Sequence, residues 1–379
     1  MNFNLKRRFS TNSLMTFEFD GLLFVCTIII SVLGLFAVYS ATRTQQSDSK
    51  IIIQSAAFAI GIIVMLAACF FDYEQYIPMS KYIFIACVLM LLSVLVLGQS
   101  GEWGAKSWIR LGSIGVQPSE LAKAGFIVTY AYHLSKVEDN INNPLMLLGL
   151  ALHAAVPIVL IMLQPDMGTC MVFIFVFAVM LFTAKLSYKL IIPAIGAGVI
   201  SVPIIYHFIL STYQKRRIQV FLNPELDPLK DGYNVIQSKI AVGSGGVFGN
   251  GYLNGSQNQL GYLPTKYTDF IFSTIAEEFG FIGAAVIILL LFFIIFRCFS
   301  ISKKADNLFG RYVCSGIGAM LLFHTFENIG MCMGVMPVTG IPLPFISYGG
   351  TSLVTNLLCI GIVLSVAYHN KPRSIFEVY

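Results

Sequence analysis

Ten apolar stretches, at 20–41, 51–70, 80–98, 119–134, 146–163, 167–184, 188–210, 270–298, 311–336 and 351–369, punctuate this 379-residue sequence. About 20 helical residues cross the roughly 30 Å of hydrocarbon in a bilayer, and each stretch meets or approaches that length. Inside hydrocarbon every backbone N–H and C=O must find its partner within the chain, so separate runs of this length fold as a bundle of helices. Composition agrees: 56% of the residues are hydrophobic and 11% are charged, which a water-soluble domain could not keep in solution. The expected fold is an all-α polytopic membrane protein, one domain over 1–379 with ten transmembrane helices and one long external loop at 211–268. Lys6, Arg7 and Arg8 ahead of the first run resemble a secretory signal. That run is too long for one, and nine more follow, so it reads as a retained first helix.

Orientation follows from lysine and arginine. With a cytoplasmic N-terminus, Lys6, Arg7, Arg8, Lys81, Lys136, Lys185, Lys189, Arg297, Lys303, Lys304, Arg311, Lys371 and Arg373 fall inside, and both termini are cytoplasmic. Most of the remaining cations sit in the loop between the seventh and eighth helices: Lys215, Arg216, Arg217, Lys230, Lys239 and Lys266, against Glu225, Asp227 and Asp231. Insertion does not ask for cations on the outer face. The segment is either a solvated basic loop or a site for an anionic ligand at the outer leaflet, with Lys239, Lys266, Arg216 and Arg217 as binding candidates.

Other chemistries are poorly supported. The eight cysteines are scattered through apolar runs without a CxxC pair, and the five histidines lack metal spacing, so haem, iron–sulfur and structural zinc sites are not expected. Within the long loop, YNVIQSKIAV from Tyr233 has the pattern of a helix lying on the membrane interface, and GSGGVFGNGYLNG from Gly243 must be loop.

Polar residues collect at helix mouths. Asp269 stands in GYLPTKYTDFIFSTIAEEFGFIG, where a polar segment meets an apolar run; it either caps the helix that follows or carries chemistry. Trp103 and Trp108, in GEWGAKSWIRLGSIGVQPSELAK, read as interfacial anchors. Glu120 and Lys123 share a helical face as a structural or a catalytic pair, and Asp166 in QPDMGT is a cap or a functional acid. GVMPVTGIPLPFISYGGTS, from Gly334, is irregular backbone at the end of a span, which survives only when buried in protein or lining a wet cavity.

The stretch DPLKDGYNVIQSKIAVGSGGVFGNGYLNGSQNQLGYLPTKYTDFIFSTIAEEFGFIG, with GAKSWIRLG, QPSELAK, QPDMGT and MPVTGIPLPFISYGGTS, resembles the SEDS proteins (shape, elongation, division and sporulation). The likeness runs along nearly the whole chain, in order, and YNVIQSKIAVGSGG, IAEE and NIGMCMGVMPVTGIPLPF resemble the elongation branch more than the division branch. The resemblance implies a ten-helix peptidoglycan glycosyltransferase of the bacterial cytoplasmic membrane. It would polymerise lipid II on the outer face, with a class B penicillin-binding protein as crosslinking partner, membrane lipids around it and no nucleic acid. The family's essential acid falls on Asp269, its polar pair on Glu120 and Lys123, and the acid of its QPD segment on Asp166. Two departures stand out. The family's usual Pro-Glu-x-His-Thr-Asp reads Pro264, Thr265, Lys266, Tyr267, Thr268, Asp269 here, and Asn250 replaces a loop lysine.

The chemistry agrees with the residues. A sugar diphosphate already carries a good leaving group, so cations to hold it matter more than an acid, whereas the acceptor 4-hydroxyl must lose a proton to a base such as Asp269. Glu277 and Glu278 lie eight and nine residues further on, about 12–13 Å along a helix at about 1.5 Å per residue, too far to pair with it. A divalent cation, Mg or Mn, would suit the diphosphate, but no ligand cluster demands one. Two other classes describe the same pattern: a carrier that flips lipid II, and a scaffold for the crosslinking partner.

Overall fold

The computed structural model describes residues 19–43, 49–100, 106–111, 114–210, 212–227 and 231–370. Lys6, Arg7, Arg8, Lys371 and Arg373 of the orientation argument, and Trp103 and Lys230, lie outside the described residues. In chain order the helices are α1 (Gly21–Thr42), α2 (Ser49–Phe70), α3 (Tyr76–Leu97), α4 (Pro118–Val137), α5 (Pro144–Met162), α6 (Met167–Thr183), α7 (Tyr188–Ile204), α8 (Thr212–Leu222), α9 (Asp231–Ser244), α10 (Ser256–Gln259), α11 (Ile271–Lys304), α12 (Leu308–Met333) and α13 (Gly350–His369). Every apolar run of the sequence is therefore a helix. Side-chain caps set several starts: Asp20 accepts the Leu23 N–H at 3.1 Å, Asn143 the Leu145 N–H at 2.9 Å and Asn307 the Gly310 N–H at 2.7 Å. The end of α12 comes three residues before the apolar run does, because Gly334 adopts the left-handed conformation that closes a helix.

Seven helices, α1, α2, α3, α5, α7, α11 and α13, are long and apolar enough to cross a membrane. The charged α4 and α12 fall short of that measure, and α6 has only 17 residues. Position explains the charge. Helix α12 is central, packed against α4, α6, α9, α11 and α13, so Glu327, Asn328 and His324 are buried against protein. Groups that hydrocarbon would penalise are tolerated at such a place. At the other extreme, none of the most apolar window of α7 is buried.

Two features add to the sequence reading. The segment ahead of α4 carries a small antiparallel sheet, β1 (Gln99–Ser100), β2 (Lys106–Leu111) and β3 (Ile114–Val116), in an otherwise helical chain. The ring of Trp108, on β2, covers Gly115 on β3. Helix α9, read as interfacial, packs against α11 and α12, where the Ser238 hydroxyl donates to the Cys332 carbonyl at 2.7 Å and lies 2.6 Å from that of Ser273.

Helix α11 breaks at Gly280, whose φ of 65° and ψ of −163° are non-helical. The glycine-rich loop after α9 repairs the break. Gly246 and Val247 carbonyls accept the Phe281 and Ile282 N–H groups at 2.9 and 3.2 Å, while Asn250 and Gly251 N–H groups reach the Glu277 and Glu278 carbonyls at 3.0 Å each. Backbone this close leaves no room for a side chain: at Gly249, with φ of 81°, a β-carbon would collide with the Glu278 carbonyl. Gly249→Ala is expected to cost about 2 kcal/mol or more, from left-handed strain together with lost loop–helix bonds, read as a lower thermal midpoint in detergent. An unchanged midpoint would show that the loop does not brace the break.

Candidate active site

A cavity of about 1050 Å³ opens beside the start of α11. Its lining includes the polar and charged residues Asp269, Glu120, Asp166, Gln117, Arg110 and Arg217. It also includes the apolar residues Ile53, Ala57 and Ile60 of α2, Met171 of α6 and Val202 of α7. Pro337–Gly340 and Tyr348–Gly350 contribute as well, so the proline- and glycine-rich mouth does line a cavity.

Asp269 lies just ahead of α11 and is 7% exposed. The capping position belongs to Phe270, whose side chain makes no capping hydrogen bond. The structure brings Glu120 and Asp166 to the same cavity from two other helices. Glu120 is held by Lys123 at 2.8 Å, and the Lys123 ammonium also lies 3.0 Å from His324 Nε2. All three are buried. Asp166 is the N-cap of α6, its two oxygens accepting the Thr169 N–H at 3.0 Å and hydroxyl at 2.9 Å, and it lines the cavity as well.

The loop cations divide. Arg217 lines the cavity and donates to the Val338 carbonyl at 3.1 Å. Arg216, Lys239, Lys266 and Lys123 are not on its wall. Arg216 pairs with Asp227 at 2.7 Å, and exposed Lys239 packs over Gly334. Lys266 turns inward and donates to the Asn258 carbonyl, in a buried knot with Glu277 and Glu278. Burial there holds its ammonium below the ordinary lysine pKa, with the two carboxylates pulling the other way. Glu277 accepts the Gln257 and Asn258 N–H groups at 2.7 and 3.1 Å, and Glu278 accepts from the Asn258 amide at 2.8 Å and from the Ser40 hydroxyl. Both carboxylates tie the loop to α11.

Several wall residues had no strong signal in the sequence. Arg110 stood inside a quoted motif, and Tyr267 stood only as a departure from a family pattern. Tyr267 has the Lys50 ammonium 3.7 Å from its ring centroid and the Tyr348 ring edge-on at 5.7 Å. Off the wall, the buried Asn328, His324 and Glu327 lie in an apolar run, where a polar residue among hydrophobic neighbours is the available cue. No three His, Cys, Asp or Glu side chains among the described residues cluster closely enough to hold a metal ion.

The family model described as Cell cycle protein, for FtsW, RodA and SpoVE, matches residues 20–372. The chain belongs to the SEDS family. This SEDS protein is 36% identical over 353 residues to the peptidoglycan glycosyltransferase MrdB of Escherichia coli K12, covering 92% of this chain and 94% of that one. It is 31% identical over 427 residues to the peptidoglycan glycosyltransferase RodA of Treponema pallidum, covering 92% and 97%. An FtsW and a stage V sporulation protein E match at similar identity. Among solved structures, a chain from a peptidoglycan synthase complex that coordinates polymerization and crosslinking aligns with a TM-score of 0.80 at 30% identity, covering 92% of this chain and 98% of that one.

Proposed function

We propose that this SEDS protein is a peptidoglycan glycosyltransferase that polymerises lipid II into β-1,4 glycan strands at the outer face of the cytoplasmic membrane, for elongation and rod shape. The activity named for MrdB and RodA supports it, and so does the cavity. The observation that carries the reading is one chamber lined by carboxylates, by Arg110 and Arg217, and by apolar residues of α2, α6 and α7. Those are the kinds of group a polyprenyl diphosphate sugar requires.

In this reading the ten long helices all span, both termini are cytoplasmic, and 211–268 is external. Asp269 takes the proton from the acceptor 4-hydroxyl as its oxygen attacks the donor anomeric carbon. The anomeric C–O bond to diphosphate breaks on the opposite face, so the α linkage becomes β. Arg217 and Arg110 hold the departing diphosphate. The prenyl chain lies along α2, α6 and α7. Glu120 and Asp166 shape the same chamber, with Lys123 holding Glu120 from behind the wall, while Arg216, Lys239 and Lys266 also act from outside it. The partner is a class B penicillin-binding protein, as the synthase complex aligned above suggests.

A lipid II carrier is separated from this by reconstitution. Vesicles holding the protein, its transpeptidase partner and labelled lipid II are expected to accumulate glycan strands. Label crossing the bilayer without polymer would overturn the glycosyltransferase reading in favour of the carrier.

A further inference from the structure

Three consecutive main-chain carbonyls just ahead of α11 each accept a hydrogen bond from across the site. The Tyr267 carbonyl takes the Tyr348 N–H at 2.9 Å, that of Thr268 takes the Ser347 hydroxyl at 2.7 Å, and that of Asp269 takes the Asn328 side-chain amide at 2.7 Å. None of the three bonds belongs to a helix or sheet ladder. They are needed because this stretch is irregular backbone, buried at Asp269, whose carbonyls have no partner within a helix or sheet.

Asn328 is the most constrained of the donors. Fully buried on α12, it directs its second amide N–H to the Ile341 carbonyl at 2.8 Å. With both donors facing carbonyl oxygens, the amide has one workable orientation, since a flip would set its own oxygen against two others. It therefore clamps two irregular segments, 267–269 and 337–349, to one rigid helix. Ser347 is similarly committed: it accepts the Leu343 N–H at 2.8 Å while donating to Thr268.

We propose that Asn328, supported by Ser347, is a positioning residue for the Asp269 carboxylate. By holding the main chain of residue 269, it keeps the carboxylate on the cavity wall at a fixed depth relative to the bound sugar. The proposal rests on the reading of Asp269 as the base. A base acts only within about 2.6–3.2 Å of the proton it removes. A shift of about 1 Å costs on the order of 100-fold in rate.

The test is steady-state polymerisation of lipid II by the full-length protein with its partner in vesicles, resolving kcat from KM. Asn328→Asp keeps the shape but sets an oxygen against two carbonyls. Its kcat is expected to fall about 100-fold with KM within about threefold. Ser347→Ala is expected to lower kcat about tenfold, with Ser347→Thr restoring it through the retained hydroxyl. A wild-type kcat in Asn328→Asp, or a loss carried by KM, overturns the proposal. If that variant does not fold, the serine pair decides: wild-type kcat in Ser347→Ala, or no rescue by threonine, overturns it equally. Asp269→Asn is measured alongside. Polymerisation at the wild-type rate in that variant would remove the base reading itself, a result distinct from any behaviour of Asn328.

Discussion

Replacing Asp269 by alanine is expected to leave lipid II binding within a few-fold and to lower kcat by about 10³-fold or more, near the upper part of what a general base contributes. The size of the loss follows from the absence of a ready substitute. Glu277 and Glu278, the carboxylates next along the chain, are occupied in bracing the loop to α11. Glu120 is neutralised by Lys123, and both oxygens of Asp166 are engaged at the start of α6. The effect belongs in kcat because, in the reading proposed above, other residues of the wall hold the diphosphate and prenyl chain. Glycan length on gels, with lipid II binding measured separately on the same preparation, checks it. Strand formation at the wild-type rate would eliminate Asp269 from the mechanism.

The second large effect concerns stability. Lys123→Met removes the cation from Glu120, leaving a buried carboxylate without its partner; breaking a buried pair in this way costs roughly 3–5 kcal/mol. The protein is expected to be recovered poorly, with a much lower thermal midpoint in detergent. Pairing it with Glu120→Gln removes the stranded charge and is expected to restore most of the midpoint, because what costs is the unpaired ion rather than the absence of the pair. The double variant also separates structure from chemistry. If it folds and polymerises normally, the pair is architectural; if it folds and is inactive, the pair acts on substrate. A single Lys123→Met variant as stable as wild type would contradict the contact itself.

The helical bundle was legible before any coordinates because hydropathy over 20 residues is a local property. Each apolar run became a helix, and the starts at Asp20, Asn143 and Asn307 sit where a side-chain oxygen can take an orphan N–H. The hairpin of β2 and β3 was not legible. Its pattern is short, and the packing of Trp108 over Gly115 arises only once the two strands meet. The loop cations were the least readable. Charge in a sequence has a sign but no direction, so Arg217 on the cavity wall, Lys266 buried in a knot and Arg216 paired with Asp227 look alike in a basic loop.

Local chemistry therefore determined that this chain is a membrane bundle, that a carboxylate stands at the head of the eighth long helix, and which motifs mark its family. Burial of backbone and side-chain polarity is a pairing problem between distant segments, and only the tertiary structure could solve it. Glu120, Asp166 and Asp269 share one chamber because α4, α6 and α11 are drawn together around the polar core of α12. Asp269 is anchored by Asn328 because a buried carbonyl in irregular backbone must find its donor inside the protein.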